Sequence, residues 1–165
     1  PAQLRRILVP IDFSRRSADA VTLATELAES MGLDEAYALH VYFNEASVSY
    51  DEYDEIIADE HDVAFRVFVG PIDLHGVHLK PMFVEGSIVA HTVLRIADEQ
   101  GCDLIVMGTR GRSRSAAVLL GSETEHAIRE TRIPILAVKH FGSRLRFLQA
   151  LLDRGLRRAR GGRFT

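Results

Sequence analysis

A chain of 165 residues with 47% apolar and 26% charged side chains is long enough to bury one core and too short for two. It has no apolar run of membrane-spanning length, and its single cysteine, Cys102, excludes an intramolecular disulfide and any cysteine-based zinc or redox motif. The net charge of −3 is unevenly divided: residues 141–165 hold seven arginines and one aspartate, +6, leaving −9 on residues 1–140, an acidic body for which no DNA partner is expected.

The opening segment, PAQLRRILVPIDF, is basic but lacks a leader-like apolar stretch, so a cytoplasmic location is expected. Within it Ile7–Asp12 reads as a short strand buried on both faces. Ser14 can then cap a helix whose apolar positions Ala20, Ala24, Leu27, Ala28 and Met31 recur at helical spacing, with Gly32 as its stop. Glu35–Phe43 reads as a second strand. After a polar loop, Asn44–Tyr53, a second amphipathic helix runs to Val69, with Ile56, Val63 and Val67 expected on its apolar face.

Val77–Val84 is expected to be an edge strand, because His78 and Lys80 alternate with Val77 and Leu79 and Pro81 lies inside it. Gly86 and Ser87 are expected to open a third helix carrying Val89, Val93, Ile96 and Ala97 on one face and stopping at Gly101. Cys102–Gly108 reads as another buried strand, Glu123–Glu130 as a short helix, and Ile133–Lys139 as the last strand. Alternating strands and helices predict an α/β fold: a five-stranded parallel, Rossmann-like sheet in the order 3-2-1-4-5 with helices on both faces. Ligands of such sheets bind at the carboxyl ends of the strands where the order reverses, which places Asp12 and Gly108 at one crevice.

The stretch GTRGRSRSAAVLLGSETEH, Gly108–His126, has the chemistry for that crevice. Gly108 and Gly111 keep the backbone bare beyond a central strand, and Gly121-Ser122 opens a helix whose unpaired N–H groups suit an anion, a polyphosphate best. Arg110, Arg112 and Arg114 add positive charge. There is no G-x4-G-K-[ST] loop, and PIDFSRRS, not a glycine-serine phosphate loop, follows the first strand. No base and nucleophile stand at a readable spacing, so no catalytic residue is assigned. His75-x2-His78 lacks further metal-ligand partners and reads as a surface turn, and His40 reads as a satisfied core histidine. His126 reads as an ordinary helix-surface residue.

These residues resemble the nucleotide-binding branch of the universal stress protein family. Its signature G-x2-G-x9-G-[ST] is met by Gly108, Gly111, Gly121 and Ser122, and VPIDFS, LHV and DLIVMGTRGRS are similar to that family too. The resemblance covers about residues 4–140. It implies an adenine nucleotide alpha hydrolase-like fold, ATP or AMP/ADP in the crevice with Mg²⁺ held through the phosphates, and a homodimer through Ile133–Val138. By the same resemblance Asp12 and Val41 flank the nucleoside, Pro10 and Ile11 line the pocket floor, and Met107 and Gly108 lie near the ribose and phosphates. Gly111, Gly121, Ser122 and Thr124 hold the phosphates. Glu123 departs from the small or apolar residue usual there; it either answers the helix dipole or turns toward the phosphates.

Two units are expected: a nucleotide-binding domain at 1–140 and a basic tail at 141–165. In the tail Leu145, Leu148, Leu152 and Leu156 form one helical stripe among arginines, suited to docking on the body or a second subunit, to a protein partner or to an anionic membrane. The expected function is an ATP-binding stress-response regulator whose occupancy alters partner binding. Two alternatives stand beside it: a slow ATPase or adenylate-transfer enzyme, and an adaptor acting through the tail.

Overall fold

In the computed structural model, which describes residues 4–43, 51–108, 129 and 131–138, the chain alternates strand and helix from the start. Strand β1 (Ile7–Pro10) leads into helix α1 (Arg15–Ser30), then β2 (Glu35–Tyr42), α2 (Asp51–Val69), β3 (His78–Glu85), α3 (Val89–Glu99), β4 (Leu104–Gly108) and β5 (Ile135–Val138). All pairings are parallel and the order is β3-β2-β1-β4-β5, as the sequence predicts. The helix expected at 123–130 lies, apart from Arg129, outside the described residues, as does the tail.

Burial on both faces explains the continuous apolar runs of the central strands. Ile7, Val9 and Ile11 of the first segment, with Ala36, Ala38 and Val106, pack against Val21, Ala24 and Ala28 of α1 and Phe65 of α2. Leu8, Tyr37, Leu39 and Ile105 point the other way, onto Val93, Ile96 and Ala97 of α3 and onto Cys102. A strand whose successive residues enter two different cores has no position left for a charge. Cys102 is buried there, and loss of water pushes its thiol up to about 11, so it behaves as a small apolar residue.

Element ends differ from the sequence expectations for local reasons. β1 stops at Pro10, although the Ile11 N–H still donates to the Leu39 carbonyl at 2.8 Å, because Phe13 adopts a left-handed backbone (φ 59) that turns the chain into α1. β4 starts at Leu104 instead of Cys102. Asp103 spends its carboxylate on the Arg5 and Arg6 N–H groups, at 2.7 and 2.9 Å, and so ties the approach to β4 to the approach to β1. β5 is confined to Ile135–Val138, and β3 is shifted one residue, to His78–Glu85. β3 is at the sheet edge, where Pro81 is tolerated.

Two helix readings are corrected. The apolar face expected for α2 is its outer one: Val63 and Val67 are 58% and 72% exposed, while Phe65 is buried and Phe68 and Val69 pack on the same core. Those three recur at i, i+3 and i+4 and bring more apolar surface than two valines, so burying them lowers the free energy more. The helix also starts at Asp51, inside the expected loop. Ser87 does not cap α3, whose N-cap is Ile88 without a side-chain hydrogen bond, and Val89 in its first turn is 46% exposed. Gly86 is needed for packing, since a Cβ there would run into the side chain of buried Thr92.

Candidate functional site

β1 and β4 are neighbours, with Leu8 opposite Ile105, so both deliver their following residues to the same end of the sheet. β1 is also where the order turns back, β2 lying on one side of it and β4 on the other. Such a switch point leaves a crevice, because the connections out of the two strands go to opposite faces. Continuing the register two positions sets Pro10 opposite Met107. Pro10, Val41 and Met107 are each only partly buried and by strand alternation share the α3 face. They make an apolar shelf across β2, β1 and β4. Ile11 is 5% exposed and turns to the α1/α2 core, so its side chain supports the segment from behind.

Asp12 follows at the corner. Its Oδ1 accepts from the Ser14 N–H at 3.1 Å and from the Ser17 hydroxyl at 3.0 Å, and the Ser14 hydroxyl accepts from the Ser17 N–H. One carboxylate oxygen thus fixes the first turn of α1, which is the capping role the residue type favours. Oδ2 takes no part in that cap. With Oδ1 held, the orientation of Oδ2 is set by protein hydrogen bonds.

Gly108 closes the crevice from the β4 side. A Cβ there would stand 3.0 Å from the Arg16 carbonyl oxygen and 3.2 Å from its carbon, backbone atoms that cannot swing aside. The bare backbone therefore serves the close approach of β4 to α1. Spacing alone suggested a ligand approach for this glycine, and the contact now visible is a packing one. Arg110, Gly111, Gly121, Ser122, Glu123 and Thr124 lie outside the described residues, as does His126.

Two histidines outside the crevice have ordinary partners. The Nδ1–H of His40, which is partly buried and not in the core, donates to the Ile11 carbonyl at 3.0 Å. His75 and Gly76 form a tight turn with φ values of 54 and 76, and His75 Nδ1 meets the Thr25 hydroxyl at 3.3 Å. His78 is exposed on β3. No group of three or more metal-ligating side chains occurs among the described residues. The aromatic cluster behind the crevice, Phe13, His40, Tyr42, His61 and Phe83, draws on four segments, and residues so far apart in the chain give no spacing to read.

An open parallel sheet in the order 3-2-1-4-5, with an apolar shelf and an acid at its switch point, defines an α/β protein of the class whose ligands bind at the strand ends. The chain belongs to the universal stress protein family, whose model matches residues 3–139. It is 29% identical over 141 residues to universal stress protein MJ0531 of Methanocaldococcus jannaschii, covering 82% of each chain. Among solved structures it is similar to MJ0577 of the same organism, with 26% identity, a TM-score of 0.64, and coverage of 86% of this chain and all of that one. The universal stress protein of Archaeoglobus fulgidus in complex with dAMP shares the fold, at 22% identity and a TM-score of 0.57, over 84% of this chain and 100% of that one. The fold is thus the adenine nucleotide alpha hydrolase-like one. No helix among the described residues is long and apolar enough to cross a membrane.

Proposed function

We propose that this protein is an adenine-nucleotide-binding regulator of the stress response, whose occupancy alters contacts with a partner. The observation that carries the reading is the pairing of β1 with β4, which brings Asp12 and Gly108, the first glycine of the G-x2-G-x9-G-[ST] sequence, to one crevice. The residues present suit the ligand. Pro10, Val41 and Met107 offer an apolar shelf for adenine, and Asp12 Oδ2 offers a fixed acceptor to the nucleoside. Gly111, Gly121, Ser122 and Thr124 hold the phosphates, Arg110 adds charge, Glu123 stands beside them, and Mg²⁺ is carried through the phosphates. The dAMP complex of a protein with this fold supports an adenine nucleotide in particular.

The acting unit is a homodimer through the last strand, and the location is cytoplasmic. Binding without fast turnover is the expected behaviour. A hydrolytic step needs contacts that strengthen in the transition state, and the contacts named here are all made in the ground state.

Titration calorimetry with ATP and Mg²⁺ tests the reading. Dissociation constants in the micromolar range, ~ −8 kcal/mol, are expected. Gly121→Val should abolish binding, and Ser122→Ala should weaken it by about 1.5–3 kcal/mol, the worth of one charge-assisted hydrogen bond. Phosphate release above about one per second, lost in Gly121→Val, would make the protein an ATPase. Failure to bind ATP or AMP at all would remove the nucleotide reading.

A further inference from the structure

Behind the crevice, five rings from four segments meet between α2 and the sheet. His40, on β2, has its ring centroid 4.4 Å from that of Phe13 and 5.4 Å from that of His61. His61, on α2, lies stacked on Phe83 of β3 at 5.3 Å and 4.6 Å from Tyr42 of β2. The Nδ1 of His61 is buried and is the one such side-chain atom without a hydrogen-bond partner among the described residues. Its neighbour's Nδ1 is committed to the Ile11 carbonyl, and a carbonyl can only accept, so His40 carries a proton there.

We propose that His40 is a positioning residue for the Ile11–Phe13 corner of the nucleotide crevice and that His61, resting on it, makes that corner respond to pH. The corner hangs on β2 by two bonds: Ile11 N–H to the Leu39 carbonyl, and His40 Nδ1–H to the Ile11 carbonyl. Phe13, left-handed at φ 59, is held in that uncommon backbone by its ring packing on His40 and, edge-on at 5.6 Å, on Phe68 of α2. Asp12 lies between these two anchored residues. A shift of the His40 ring therefore displaces Asp12 from both sides.

His61 controls whether that ring stays put. The groups around it are His40 and Tyr42 from β2, Phe83 from β3 and Glu60 from its own helix, while the chain after β1 presents Phe13 to His40. Among the charged and imidazole groups there, Glu60 alone favours a positive charge. Burial first, and His40 second, hold His61 below the usual histidine range, so the packed arrangement is the neutral one. Protonation puts a cation, with no acceptor at its buried Nδ1, among three rings, one of them a second imidazole. The cheapest relief is to lift that part of α2 off the sheet, which takes Phe68 away from Phe13.

The sign follows from proton counting. In the packed state His61 binds fewer protons than in the opened state, so packing is fully stabilised above the ordinary histidine pKa and weakens as pH falls through it. This inference rests on the nucleotide reading for its consequence and not for its mechanism, and two measurements separate them. The first is ATP affinity between about pH 7.5 and about pH 5.5, the window in which histidine changes charge. Several-fold weakening is expected in the parent protein. In His61→Phe, which keeps the stack on Phe83, only the slope due to the nucleotide's own phosphates should remain. His40→Phe should weaken ATP at both pH values, and His40→Asn, which retains a donor, should recover part of the loss. The second measurement is the pH titration of the Asp12 and Phe13 amide resonances in nucleotide-free protein, which should follow the His61 ring resonances and go flat in His61→Phe. Equal pH slopes in parent and His61→Phe, or Asp12 and Phe13 amides indifferent to His61, would overturn the proposal. If ATP binds at no pH, the nucleotide reading fails, and the amide titration still decides the coupling.

Discussion

Gly108 and Asp12 each do a structural task at the crevice, and substitution separates that task from ligand binding. At Gly108 an added methyl would press on the Arg16 backbone at 3.0 Å, so one segment must move. Gly108→Ala should destabilise the fold by about 1–3 kcal/mol, as overpacking does, read by urea unfolding. A ligand role alone would predict lost binding at unchanged stability. At Asp12 the Oδ1 bonds to Ser14 and Ser17 belong to the helix start, and Oδ2, outside those bonds, is the oxygen proposed for the nucleoside. Asp12→Asn keeps an acceptor at the Oδ1 position and replaces Oδ2 with a donor. It should leave the unfolding midpoint within a few tenths of a kcal/mol while weakening adenosine nucleotides, measured by calorimetry, by about 1–3 kcal/mol.

Among the elements, α2 shows most clearly how the sheet decides orientation. Its inner face is Phe65, Phe68 and Val69; its outer face includes Val63 and Val67, with an exposed ion pair from Arg66 to Asp62 at 2.7 Å. Phe65→Ala should cost about 3–5 kcal/mol in denaturant unfolding, the range for a buried ring. Val67→Lys should stay within about 0.5 kcal/mol, as an open surface substitution does. The reverse ranking would restore the sequence reading of this helix. α2 also carries the pH dependence of stability. Because His61 is held below the ordinary histidine range by burial and by His40, stability is fully present above about pH 6.5 and declines as pH falls below it. A thermal scan series should show that decline, and His61→Phe should flatten it.

At the scale of the whole molecule, β5 is an edge strand that buries Val138 and packs Leu136 on the core, while Ala137 is exposed. An apolar open edge is an aggregation hazard unless a second copy covers it. A charge at Leu136 would disturb the core as well as the interface, so Ala137→Lys is the cleaner probe. If the proposed dimer forms through this edge, Ala137→Lys should give monomer in sedimentation at roughly micromolar concentrations where the parent sediments as a dimer. A dimeric Ala137→Lys protein would exclude this edge. The tail from residue 143 follows all five strands, so its deletion should leave thermal unfolding and ATP titration unaltered. Loss of ATP binding on truncation would mean that the tail completes the crevice.

The sequence by itself determined the element types, the strand order, the edge position of β3 and the end of the sheet where Asp12 and Gly108 meet. The uninterrupted apolar runs of β1 and β4 suit central strands, an alternating strand interrupted by proline suits an edge, and alternation with helices favours parallel pairing. Those patterns are local. Tertiary structure alone decided which face of α2 is buried, because two apolar stripes compete there and the sheet selects the one with more surface to bury. It alone showed that Gly108 lies against the Arg16 backbone and that His40 and His61 meet. Contacts between residues 21 or more positions apart depend on where whole elements land, and no spacing within the chain encodes that.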